Sequence, residues 1–236
     1  QKESLAKTDF LSRMSHEIRT PMNGILGMLN LAQKHIDDST LVSQYLGKTE
    51  NLSMFLLTLI NDILDMSRIE SGKMKLEEVP FDLTAMAAKI DNMFSGSAKE
   101  KGILWTLQLQ NIDTPYVIGD EMRLSQVIIN FISNALKFTP EHGEITVTFR
   151  QMGIIDDKAH LMLRVKDTGK GMKAGFLDKI FLPFEQEDAS TAHNYGGSGL
   201  GMAIARQLVE QMNGQITADL QENIFSICLQ FVCIRS

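Results

Sequence analysis

Leu11-Ser12-Arg13-Met14-Ser15-His16-Glu17-Ile18-Arg19-Thr20-Pro21-Met22-Asn23-Gly24-Ile25-Leu26-Gly27-Met28-Leu29-Asn30-Leu31-Ala32 decides how the first third of the chain folds, because its apolar residues return every seven positions. With Leu11 at heptad position a, Ile18, Ile25 and Ala32 follow at a, while Met14, Pro21 and Met28 occupy d. This is the pattern of a helix packed along a seam on another helix. Downstream, Leu52, Leu59 and Met66 form a second seam with Leu56 and Ile63 between them, and Leu57, Ile60 and Leu64 widen it towards a second contact face. The link Ile36-Asp37-Asp38-Ser39-Thr40 is short, so the two helices are expected to be antiparallel neighbours. A hairpin with this much apolar surface is most simply completed by a second copy. That predicts a homodimeric four-helix bundle about a two-fold axis, converted to monomers by lysines at Leu56 and Leu59. Ser71-Gly72 supplies a helix stop with a left-handed glycine, and Pro80 opens a different regime, so the expected domains are 1–72 and 80–236.

Beyond Pro80 the pattern is mixed. Helices are predicted over 81–96, 121–138 and 200–212, the second capped by Asp120, and strands over 103–110, 144–150, 161–167, 215–220 and 225–234. Strands and helices in this order make an α/β sandwich, a mixed sheet with helices on one face. The fold class of the whole chain is therefore α+β, a dimeric helical hairpin followed by that sandwich.

Composition agrees. With 236 residues, 44% of them hydrophobic and 22% charged, the chain is globular. A net charge of −6 lacks the basic field that nucleic-acid binding uses, so no nucleic-acid partner is expected. No stretch reaches the roughly 20 apolar residues of a membrane span, and no membrane contact is expected from these residues. The chain begins at Gln1 without a leader, which reads as an excised piece of something longer, with any anchor expected outside it. Cys228 and Cys233 lack CxxC spacing, so a disulfide framework and a CxxC metal or redox site are both excluded.

Four segments carry candidate chemistry. Asn130, Asn134 and Lys137 lie at i, i+4 and i+7 of the 121–138 helix and share a face. Their carboxamide oxygens suit Mg²⁺ and the ammonium suits a phosphate, although a solvated helix face would look the same. Asp167-Thr168-Gly169-Lys170-Gly171-Met172 follows a strand. There a carboxylate can accept from the amine of adenine, with Gly169 and Gly171 letting the backbone approach a flat base; an ordinary turn is the alternative. Gly197-Ser198-Gly199-Leu200-Gly201 opens the last helix, where converging N–H groups and the helix dipole suit phosphate. Between these loops, Phe181-Leu182-Pro183-Phe184 reads as a core anchor and the polar run 185–195 as a flap over the nucleotide. Last, His16 falls at heptad position f, pointing to solvent, with Thr20 one turn on and Pro21 bending the helix beside it.

In this order the segments closely resemble the boxes of the sensor histidine kinase catalytic core. The stretch 10–21 is similar to the phosphoacceptor box and 130–137 to the N box; 167–172 and 197–201 are similar to the two glycine boxes, with 181–184 as the phenylalanine box between them. Met22-Asn23-Gly24 after the first box resembles hybrid kinases that carry an attached receiver domain. The resemblance implies that His16 is phosphorylated by ATP, with Glu17 taking its proton. It implies adenine against Asp167 and Gly171, with Gly169 in the same turn, and Mg²⁺ on Asn130 and Asn134. It also implies Lys137 on the phosphates and the phosphate tail along Gly197, Gly199, Leu200 and Gly201. The phosphoryl group would pass to an aspartate of a response-regulator receiver domain, and Thr20 stands at the position that orients water for receiver dephosphorylation. Two other readings remain at this stage. One is a regulatory module that dimerises with other kinases and binds ATP without turnover; the other is an ATPase clamp like those of gyrase, heat-shock chaperones and mismatch repair.

Overall fold

The computed structural model describes residues 2–156, 158–173, 175–187, 198–221 and 224–235. Helices α1 (Lys2–Lys34) and α2 (Ser39–Glu70) form an antiparallel hairpin. Asp38 caps α2, its carboxylate accepting the Thr40 and Leu41 N–H groups at 3.1 and 3.0 Å, and the rings of His35 and Tyr45 meet across the turn. The heptad seam of α1 is present: Pro21 and Ala32 are buried, Met14, Ile18, Ile25 and Met28 half-buried, and only Leu11 at its open end is exposed. Helix α2 ends as expected, with Gly72 at φ +63°.

A seven-stranded sheet follows, built from β1 (Val79–Asp82), β2 (Leu104–Gln110), β3 (Tyr116–Gly119), β4 (Glu144–Ile155), β5 (Lys158–Asp167), β6 (Gln215–Gln221) and β7 (Ile224–Arg235). The strand order is β1-β3-β7-β5-β4-β2, with β6 paired to the first part of β7 and β3 to its last residues; only β2 and β4 are parallel. Helices α3 (Leu83–Glu100), α4 (Glu121–Phe138) and α5 (Gly201–Gln211) pack on the sheet, α4 touching both other helices. Alternation along β4 buries Ile145, Val147 and Phe149 against Val127, Ile128, Phe131 and Leu208 in one continuous core.

Three local expectations need correction. The first helix of the sandwich starts two residues later than predicted and runs on to Glu100, because the Asp82 side chain caps it by accepting the Thr84 and Ala85 N–H groups. Strands β1 and β3 were not anticipated; each is four residues long, too short for a period-2 signal, and they pair with each other at one edge of the sheet. Leu59 is fully buried within this chain, in the core that α2 shares with the sandwich, so it does not line a free face of the hairpin. The large apolar residues left exposed there include Met22, Leu26 and Leu29 on α1 and Leu57, Ile60 and Leu64 on α2, each set spaced to share a helix face.

Candidate functional site

The apolar stripe of α4, from Leu124 through Val127, Ile128 and Phe131 to Ala135, is buried and fixes the helix's rotation. That rotation turns Asn130, Asn134 and Lys137 onto the wall of one cavity of about 1290 Å³. Strand β5 delivers Asp167 to the same cavity, 4% exposed, its Oδ1 accepting the Gly169 N–H at 2.9 Å. Burial pushes this carboxyl up to about 6, opposed by the Gly169 bond, so it remains mainly a carboxylate acceptor at pH 7. A Cβ on Gly169 would lie 2.6 Å from Asp167 Oδ1, which gives the glycine of this turn a steric reason. Gly171 also borders the cavity, whereas Gly169 does not.

The opposite rim is the loop into α5. Gly199 has φ +67° and a Cβ there would come within 2.9 Å of Phe184 Cα, while the Phe184 N–H donates to the Gly199 carbonyl at 2.9 Å. The segment 181–184 is thus the backing plate of the glycine loop, with Phe181 and Phe184 half-buried against the core as an anchor should be. Gly201 lies against the Asn130 side chain, joining the α4 face to the N-terminus of α5. Leu200 sends its side chain into the core and contributes its backbone to the loop. Gly197 and residues 188–195 of the polar run lie outside the described residues.

Two ammonium groups sit at the mouth, Lys137 Nζ and Lys170 Nζ at 5.0 and 5.2 Å from the centroid of the Phe138 ring. Burial and the neighbouring Lys170 push the Lys137 ammonium below its ordinary range. Among the described residues no three His, Cys, Asp or Glu side chains gather to hold a metal ion. The carboxamide oxygens of Asn130 and Asn134 suit Mg²⁺ arriving with a phosphate chain that supplies most of its ligands.

One wall was not foreseen from the sequence. Phe55, Thr58, Asn61 and Asp62 of α2 border the same cavity as Asn130 and Gly199. Ser198 Oγ donates to Asp62 Oδ2 at 2.8 Å. A turn further along, Asp65 Oδ2 accepts from Arg123 at 2.8 Å and from Gln126 Nε2 at 2.9 Å, while Asp120 caps α4 and also accepts the Glu77 N–H. The polar pair Asn61-Asp62 inside the apolar run of α2 was the available signal, but nothing local says which surface it faces.

His16 is exposed on α1, as position f requires, with Glu17 half-buried beside it. Thr20 Oγ1 donates to the His16 carbonyl at 3.2 Å, so the two lie on one face. No described residue of α1 borders the cavity. The structure therefore assembles the cavity residues together and holds His16, Glu17 and Thr20 apart from them.

Two family models match the chain: residues 6–72 match the His Kinase A (phospho-acceptor) domain, and residues 119–232 match the histidine kinase-, DNA gyrase B- and HSP90-like ATPase. The chain is 36% identical over 223 residues to the signal transduction histidine-protein kinase BarA of Escherichia coli (strain K12), covering 94% of this chain and 24% of that protein. It is 39% identical over 218 residues to the autoinducer 2 sensor kinase/phosphatase LuxQ of Vibrio vulnificus (strain YJ016), covering 91% and 25%. Among solved structures, full-length ShkA in complex with AMPPNP superposes with a TM-score of 0.70 at 29% identity, over 97% of this chain and 46% of that one. The chain spans about a quarter of the length of these curated relatives.

Proposed function

The chain belongs to the histidine kinases, and from that premise we propose that it binds ATP in the cavity between α4, β5 and α5 and transfers the γ-phosphoryl group to His16. Residues 1–72 act as the dimerisation and phosphotransfer domain and 80–236 as the ATP-binding domain. The observation that carries the reading is the convergence of Asp167, Asn130, Asn134, Lys137 and the Gly199–Gly201 backbone on one cavity, in a chain whose first helix exposes His16. AMPPNP in the similar ShkA structure supports the choice of nucleotide.

In this scheme Asp167 accepts from the adenine amine, and Gly171 leaves room for the ring. Asn130 and Asn134 would hold Mg²⁺, which would neutralise charge on the phosphate oxygens. Lys137 and the N-terminus of α5 face the phosphate chain. A neutral imidazole nitrogen of His16 forms the N–P bond, the bond from the γ-phosphorus to its bridging oxygen breaks, and ADP leaves with that electron pair. The proton on the other ring nitrogen passes to Glu17. Because α1 does not border the cavity, transfer requires the ATP-binding domain to move along the hairpin or His16 to come from a second copy. The exposed face of Met22, Leu26, Leu29, Leu57, Ile60 and Leu64 supports such a dimer. The phosphoryl group then passes to an aspartate of a receiver domain, and Thr20, on the histidine's face, orients water for the reverse dephosphorylation; the kinase/phosphatase name of the similar LuxQ supports the second activity.

Incubation with γ-labelled ATP and Mg²⁺ tests the reading. Acid-labile label on the protein, absent in His16→Gln, is the expected result. Free phosphate without labelled protein would favour an ATPase clamp, and nucleotide binding with neither outcome a silent regulatory module.

A further inference from the structure

The first turn of α5 already has an anion beside it. Helix α5 begins after Leu200, whose side chain cannot cap it. Its entry is instead held by Ser198, with the Leu200 N–H donating to Ser198 Oγ at 3.2 Å and the hydroxyl donating onward to Asp62 Oδ2 at 2.8 Å. The hydroxyl has one proton, and it is given to Asp62. A carboxylate brought from α2 thus stands where a helix N-terminus and a glycine loop favour negative charge, bordering the same cavity as Gly199, Gly201, Asn130 and Lys137. Its seat is not a comfortable one, since burial raises the Asp62 carboxyl, with Ser198 opposing and Asp65 adding to the rise.

Resting on the reading of the cavity as a nucleotide site, we infer that Asp62 occupies part of the phosphate subsite and competes with the nucleotide's phosphates for the Ser198–Gly201 loop. Asp62 is then a residue that sets nucleotide affinity from the other domain. A phosphate reaching the loop needs the N–H groups and the hydroxyl that Ser198 now commits to Asp62, and it meets a negative charge at close range. By linkage the effect is reciprocal: phosphate binding weakens the hold of α2 on the loop by the factor that Asp62 weakens phosphate binding. The Arg123–Asp65 pair, which does not border the cavity, ties α2 to α4 without this conflict.

The test uses the full 236-residue chain. Asp62→Asn keeps an oxygen to accept the Ser198 hydroxyl and removes the charge. It is expected to bind ATP roughly tenfold more tightly than the wild type, the effect of one charge a few ångströms away in a partly wet site, with adenosine affinity unchanged. Asp65→Asn also weakens the α2 contact and is expected to leave the ratio of ATP to adenosine affinity as in the wild type. Hydrogen exchange gives the reciprocal readout: ADP should speed exchange in the α2 segment around Asp62 in the wild type and change it little in Asp62→Asn. Equal ATP affinities for wild type and Asp62→Asn, or an equal change for ATP and adenosine, overturn the inference while leaving the nucleotide site standing. A wild-type chain with no affinity for ATP overturns the nucleotide site itself, and this inference with it.

Discussion

Asp167, proposed to accept from adenine, is buried at the expense of stability. Its carboxyl is pushed from 3.8 to about 6 by burial, so the folded state holds the proton more tightly than the unfolded chain. Protonation therefore supports the fold: the contribution is complete below about pH 3.8, shrinks between there and 6, and is absent at pH 8. Asp167→Asn is expected to raise the stability of the nucleotide-free chain at pH 8 by about 1–3 kcal/mol, with the gain fading towards pH 4. The same variant should lose the thermal shift that ATP gives the wild type. Melting curves at the two pH values, with and without ATP, check both statements. The motif around Asp167 was readable because a carboxylate at a strand end followed by two glycines is a local pattern. That the carboxylate is buried was not readable, since burial depends on α4 and β7 covering it.

Helix α2 serves two masters. One face completes the core with Leu59 and Met66 and anchors Asp65 to Arg123, while another leaves Leu57, Ile60 and Leu64 exposed. Asp65→Ala leaves Arg123 largely buried without its anion and is expected to cost about 2–3 kcal/mol, read from urea unfolding. Replacing Leu57 and Ile60 with lysine is expected to yield folded monomers by light scattering, because both side chains already face water in the single chain. The lysine at Leu59 that the heptad alone suggested would instead unfold the junction. Periodicity identifies which residues of a helix are apolar and share a stripe. It does not say which partner a wide stripe meets, because a helix in a bundle and a helix against a sheet bury side chains at the same spacing.

At the scale of the molecule the two halves of the proposed reaction are kept apart, with His16 on an exposed face of α1 and the cavity walled by α2, α4, β5 and α5. His16→Gln is accordingly expected to leave ATP affinity within about twofold of the wild type by titration calorimetry, while removing the acid-labile label. A large loss of affinity would mean that α1 reaches the cavity after all.

The amino-acid sequence alone determined the hairpin, the sandwich, the helix that bears Asn130, Asn134 and Lys137, and the glycine loops, because each is written in spacing over a few turns or a few residues. Only the tertiary structure decided what meets across the cavity. The Asp62–Ser198 bond joins residues 136 positions apart, and the Asp65–Arg123 pair joins residues 58 apart. No local pattern encodes such contacts; they exist because α2 packs against α5 and carries its acidic residues to Ser198 and to Arg123 of α4.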